Sequence, residues 1–148
     1  MPSFMYGKGL ADAMGTTDLG AVRATAHTYK LALVTSAYTE SKAHQFLTDL
    51  GSTILTVSGY TTKTVTPTIA VNTTSGNEGV EVTIADQTWT ALGSGATIHG
   101  AVLYRDTGTG STSPLVAFFD VTNTATNGGD VTLDFATAAA GGNVKITV

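Results

Sequence analysis

Residues 80–85 read Val-Glu-Val-Thr-Ile-Ala, so that Val80, Val82 and Ile84 alternate with Glu81, Thr83 and Ala85. A period of two fits a strand with one wet face and does not fit a helix. From residue 52 onward the chain repeats this pattern. Val131, Leu133 and Phe135 alternate with polar neighbours, and so do Val144, Ile146 and Val148. Thr97–Tyr104 and Leu115–Val121 are apolar runs of strand length, rich in β-branched and aromatic residues. Turn signals separate the runs: Ser58-Gly59, Gly-Asn-Glu-Gly at 76–79, Leu-Gly-Ser-Gly-Ala at 92–96 and Thr-Asn-Gly-Gly-Asp at 126–130. Upstream, Tyr29, Leu31 and Leu33 alternate with Lys30, Ala32 and Val34, as suits a central strand. Short strands with glycine-rich turns predict a mainly β fold, a single sandwich or barrel-like domain.

One segment departs from the pattern. Over Thr39–Leu50, Ala43, Phe46, Leu47 and Leu50 fall at i, i+3, i+4 and i+7, the apolar stripe of a helix. Thr39 or Ser41 is placed to cap its N-terminus, Glu40 lies in the first turn, and Gly51 stands where a glycine ends a helix. The spacing predicts one short α-helix, which needs docking on the sheet to be stable.

Residues 1–27 show neither period and read as an N-terminal arm ahead of a domain over 28–148. The arm nonetheless holds Phe4, Met5, Tyr6, Leu10, Met14, Leu19 and Val22. With so much Gly and Thr it cannot build a core of its own. Its apolar groups are expected to be ordered by a surface outside the domain, with Phe4 and Tyr6 as anchors. The competing reading folds the arm back on its own sheet as an edge strand.

Composition limits function. The 148 residues suffice for one domain with a real core. Charged residues make up 12% and the formal net charge is −4, which argues against a nucleic-acid surface. So little charge also implies that part of the surface is covered by other subunits. There is no cysteine, hence no disulfide, thiol chemistry or cysteine-bound zinc. No apolar run reaches membrane-spanning length, and the N-terminus lacks the apolar core of a signal peptide. No membrane partner and no secretion by that route are expected.

The stretch most like a site is Tyr104–Leu115, Tyr-Arg-Asp-Thr-Gly-Thr-Gly-Ser-Thr-Ser-Pro-Leu. A phosphate loop needs a helix after its glycines and a Gly-Lys-Ser/Thr ending. Here a strand follows, announced by Pro114, and the loop carries a single carboxylate, Asp106, too few for calcium. It reads as a hairpin loop. His27, His44 and His99 sit in separate elements without metal-ligand spacing. Glu78, Glu81, Asp86, Asp106, Asp120, Asp130 and Asp134 contain no pair that spacing singles out as a glycosidase couple, and no Gly-x-Ser-x-Gly elbow is present. No enzyme activity, cofactor or metal is expected. Asn72-Thr73-Thr74 matches a glycosylation acceptor, which has meaning only in a secretory context. Trp89 reads as a core or subunit-interface anchor, with carbohydrate stacking as the sharper alternative.

Four stretches, 29–51, 59–66, 82–92 and 101–121, follow one another in an order that resembles small virion proteins of tailed bacteriophages. The motifs are a strand running into Ser-Ala-Tyr-Thr and Phe-Leu-Thr-Asp-Leu, then Gly-Tyr-Thr-Thr-Lys-Thr, then Ala-Asp-Gln-Thr-Trp, then Tyr-Arg-Asp-Thr-Gly with Ser-Pro-Leu-Val-Ala. The match spans roughly residues 29–135. Residues 1–28 depart from the family pattern, which often begins with a charge-rich helix. The resemblance implies a structural virion protein, foremost a head decoration or cement protein. Such a protein would bind the major capsid protein as a homotrimer, on the capsid surface of particles assembled in the host cytoplasm. Alternatives are a tail, neck or fibre-associated component, and a module binding host glycan.

Overall fold

The computed structural model describes residues 4–6, 27–72, 79–135 and 144–147. Among these described residues ten strands follow in order: β1 Phe4–Met5, β2 Thr28–Thr35, β3 Lys63–Val65, β4 Thr68–Asn72, β5 Gly79–Thr83, β6 Gln87–Trp89, β7 Thr97–Asp106, β8 Leu115–Ala125, β9 Val131–Phe135 and β10 Val144–Thr147. All pair antiparallel. They form a five-stranded sheet in the order β1-β8-β7-β2-β3, a three-stranded sheet β10-β9-β6 and a two-stranded sheet β4-β5. The fold is mainly β and forms one small domain, as the alternation predicts.

The five-stranded sheet is covered on both faces. On one face Tyr29, Leu31, Leu33, Ala101 and Leu103 pack with Trp89, Val131, Leu133 and Phe135 of the smaller sheet. This is the sandwich core. On the other face Ala32, Val34, Val102, Tyr104 and Phe118 meet Tyr6, Tyr38 and Leu50. The double cover explains why Leu31–Val34 are all fully buried and why the strand shows no wet side. Each such leucine contributes about 1.5–3 kcal/mol by leaving water.

A bulge sorts β8 between the two cores. Leu103 is opposite Ala117 while Tyr104 is opposite Leu115, so Val116 is the extra residue. Without it Leu115 and Phe118, three apart, would point to opposite faces. With it both join the second core, whereas Val116 and Ala117 both join the first. A second irregularity lies between Ile98 and Gly100. There the Phe118 ring lies on Gly100, where an added Cβ would come within 2.5 Å of Phe118 Cε2.

The helical element differs in kind and place from the expected α-helix over Thr39–Leu50. It is a 3-10 helix over Leu47–Thr53, broken at Gly51, which has φ 55°. Phe46 is extended (φ −126°, ψ 161°) and forms a β-bridge with Pro114. Gln45 C=O accepts from Leu115 N–H, and Leu47 N–H donates to Ser113 C=O, each at 2.9 Å. These pairings with the start of β8 take the backbone groups that an α-helix would have used on itself, so tertiary context overrides the local period. Of the predicted stripe, Leu50 is buried, Phe46 and Leu47 are half-buried and Ala43 is exposed.

Candidate functional site

The N-terminal strand is held by its own chain. Phe4 pairs with Phe118 and Met5 with Ala117, and Tyr6 N–H donates to Val116 C=O at 2.9 Å. Tyr6 is fully buried. Its hydroxyl lies 2.8 Å from the Tyr38 hydroxyl, which lies 2.9 Å from His44 Nδ1. The Phe4 ring meets Tyr6 edge-on at 5.1 Å and Phe118 at 5.5 Å, with Lys42 Nζ 5.8 Å from its centroid. Burial, reinforced by the Tyr38 hydroxyl, pushes Tyr6 far above the ordinary phenol range, and burial likewise raises Tyr38. Both are placed as hydrogen-bonding groups, each hydroxyl facing the other. Residues 4–6 thus take the edge-strand arrangement of the competing reading, with Tyr6 buried in its own chain and Phe4 half-buried beside it. Residues 7–26, the rest of the expected arm, lie outside the described residues.

Trp89 is a core residue, with 2% of its surface exposed. Its Nε1–H donates to Thr61 C=O at 2.8 Å, Tyr60 stacks at 6.3 Å, and Lys63 Nζ lies 5.6 Å from the ring centroid. The Tyr60 hydroxyl in turn accepts from Leu33 N–H at 2.8 Å. A ring enclosed in this way packs as a core anchor, with no open face left for a sugar to stack on.

The loop between β7 and β8 spends its polar groups on itself. Asp106 Oδ1 accepts from Gly108 N–H at 3.0 Å, with Gly108 at φ 84°. The Thr107 hydroxyl lies 2.7 Å from that of Thr112 and 3.1 Å from that of Ser113. Ser113, fully buried, donates to Thr109 C=O at 2.8 Å and accepts from Thr107 N–H at 3.1 Å. Asp106 also pairs with Lys30 at 2.6 Å. That bond, then the Gly108 amide, holds the Asp106 carboxyl below its usual range. The hydroxyls of Thr107, Thr112 and Ser113 thus close a turn among themselves.

Two of the other acidic groups named as candidates for catalysis cap backbone amides. Asp86 accepts from Phe135 N–H and Asp130 from Ala91 N–H, each at 2.9 Å. Glu78 lies outside the described residues, as do residues 73–74 of the glycosylation match. One arrangement escaped sequence reasoning. His99 Nε2 lies 3.3 Å from Glu40 Oε2, and its Nδ1 lies 2.9 Å from Asn123 Oδ1, with the ring 5.9 Å from Phe118. His99 reads from sequence as a packed or interface residue; its partner Glu40 is 59 residues away, in the segment whose spacing predicts a helix. Backbone hydrogen bonding first, then His99, holds the Glu40 carboxyl low. Among the described residues no three His, Cys, Asp or Glu side chains gather to hold a metal, and no helix is long and apolar enough to cross a membrane.

Comparison with known proteins finds no matching family model, no similar curated protein and no similar solved structure.

Proposed function

We propose that this chain is a structural virion protein of a tailed bacteriophage, and foremost a decoration protein of the head. The observation that carries the reading is the ordered motif series. Its stretches fall on β2 and the 3-10 helix over Leu47–Thr53, on β3 and its approach, on the end of β5 through β6, and on β7, its loop and β8. They are the framework of the sandwich, so the resemblance concerns how this fold is built. A second consideration is consistent with it: the conspicuous polar residues described above serve the fold, which suits a protein whose task is to be a stable surface.

Decoration works by mass action. A partner that binds only the assembled shell lowers the free energy of that shell relative to its open forms. Capsid lattices repeat threefold sites, and a closed trimer matches such a site with three identical contacts. The test is the copy ratio of this chain to the major capsid protein in purified particles. A near-stoichiometric ratio is expected. A few tens of copies or fewer would move the protein to the tail or neck, and absence from particles would overturn the virion reading altogether.

A further inference from the structure

Asn127 is followed by Gly128, whereas Asn72, Asn77, Asn123 and Asn143 are followed by Thr, Glu, Thr and Val. Asn127 and Gly128 lie exposed in the turn between β8 and β9. The side-chain amide is folded forward over the next residues, with Asn127 Oδ1 accepting from Gly129 N–H at 2.9 Å. Gly128 has φ 89°, a backbone state that favours glycine.

We propose that Asn127 is a self-modification site, converting to aspartyl and isoaspartyl forms by intramolecular deamidation. The Gly128 backbone nitrogen attacks Asn127 Cγ and gives up its proton. Nδ2 takes a proton and leaves as ammonia, closing a five-membered imide across residues 127 and 128. Water then opens the imide. Hydrolysis at Cγ gives aspartate. Hydrolysis at the former backbone carbonyl gives an isoaspartyl link, one methylene longer in the main chain. No oxidant or cofactor enters. Glycine matters because no Cβ shields the attacking nitrogen. The Gly129 N–H matters because it donates to the oxygen on which charge develops during the attack, as an oxyanion-hole donor does. Asn123 makes the contrast: it lies within β8, its Oδ1 faces His99 Nδ1, and β-branched Thr124 follows it.

The two products differ in consequence. Aspartate keeps an acceptor for Gly129 N–H and adds one negative charge. The isoaspartyl link lengthens a turn whose neighbours are tied to another loop. Gly129 C=O accepts from Leu92 N–H at 3.0 Å, and Asp130 Oδ1 accepts from Ala91 N–H at 2.9 Å. Ala91 already has φ 50°, unusual for a residue with a Cβ. Lengthening the main chain shifts both anchors and loosens this end of the sandwich.

The experiment incubates the purified, folded full-length chain at mildly alkaline pH and follows it by intact mass and peptide mapping. Methyl labelling by an isoaspartyl methyltransferase reports the rearranged product. Conversion is expected at Asn127 ahead of the other asparagines, and Asn127→Gln is expected to abolish the label while leaving the melting curve intact. The isoaspartyl fraction should melt below both the fresh protein and Asn127→Asp. Conversion in urea but none in the folded chain would overturn the proposal, as would equal conversion at the other asparagines.

Discussion

Tyr38 shows how one hydroxyl can join two parts of the chain. It lies between the hydroxyl of Tyr6, on the N-terminal segment, and Nδ1 of His44, in the connection that follows β2. Tyr38→Phe keeps the ring against Phe118 but removes both bonds. The Tyr6 hydroxyl, fully buried, then loses its partner. Leaving a buried polar group unsatisfied costs about 1–3 kcal/mol, so the variant should unfold at lower denaturant concentration by that amount. Tyr6→Phe/Tyr38→Phe removes both hydroxyls and should recover part of the loss. A double variant as unstable as the sum of the single ones would mean that the two hydroxyls act independently. Gly100 makes the opposite point, since its role is to have no side chain. Gly100→Ala drives a methyl into the Phe118 ring and the Phe119 carbonyl, and overpacking of this sort costs about 1–3 kcal/mol. Equilibrium unfolding of the purified variant measures it.

At the scale of elements, the strands were legible and the helical segment was not. Alternation located β2, β5, β9 and β10, because a strand's face is set by its own residues with a period of two, while β7 and β8 stood out as apolar runs of strand length. Residues 39–50 carried a genuine helical spacing, but spacing reports only what a segment would do alone. It says nothing of the edge at Ser113–Leu115 that captures Gln45 and Leu47. The candidate site fared likewise. Tyr6, Trp89 and the 104–115 loop stood out by residue type, yet whether an aromatic ring faces inward or outward is decided by elements remote in sequence. Asp49 illustrates the substitute order in the helical segment. Its Oδ2 accepts from Gln45 N–H at 2.7 Å and Phe46 N–H at 2.9 Å, and the Phe46 and then the Gln45 amide hold its carboxyl low. Asp49→Ala should cost about 0.5–2 kcal/mol, the range for a lost cap, while Leu50→Ala, on a buried side chain, should cost about 2–5 kcal/mol. Chemical denaturation of the two variants ranks them. Glu40, Asp49 and Asp106 are all held below their ordinary range. A carboxyl depressed in the folded state adds stability above its unfolded pKa of about 4 and loses it as pH falls through the folded value. The unfolding free energy should therefore drop as pH is lowered below about 4, and Asp49→Ala should flatten that slope.

For the whole molecule the N-terminus decides between two designs. An arm meant for another subunit would leave the isolated domain intact when removed. Residues 4–6 are instead built into the second core: β1 completes one edge of the five-stranded sheet, Tyr6 is fully buried, and Phe4 lies against Phe118. Removing residues 1–6 strips the cover from Phe118, leaves Tyr38 without its hydroxyl partner, and opens β8 where Val116 C=O had accepted from Tyr6 N–H. Burial of one large aromatic side chain is worth about 1.5–3 kcal/mol. The half-buried Phe4 and the lost hydrogen bonds add to that, so a total of about 3 kcal/mol or more is expected, a large share of the stability of a small domain. The truncated chain should melt well below the full-length protein at concentrations where both are monomeric, and Tyr6→Ala alone should account for most of the shift. If the truncated chain keeps its melting temperature but binds particles less well, residues 4–6 serve assembly and their place on this sheet contributes little. If it melts early as a monomer, the segment is part of the domain, and any contact with neighbouring subunits must be sought on other surfaces of the sandwich.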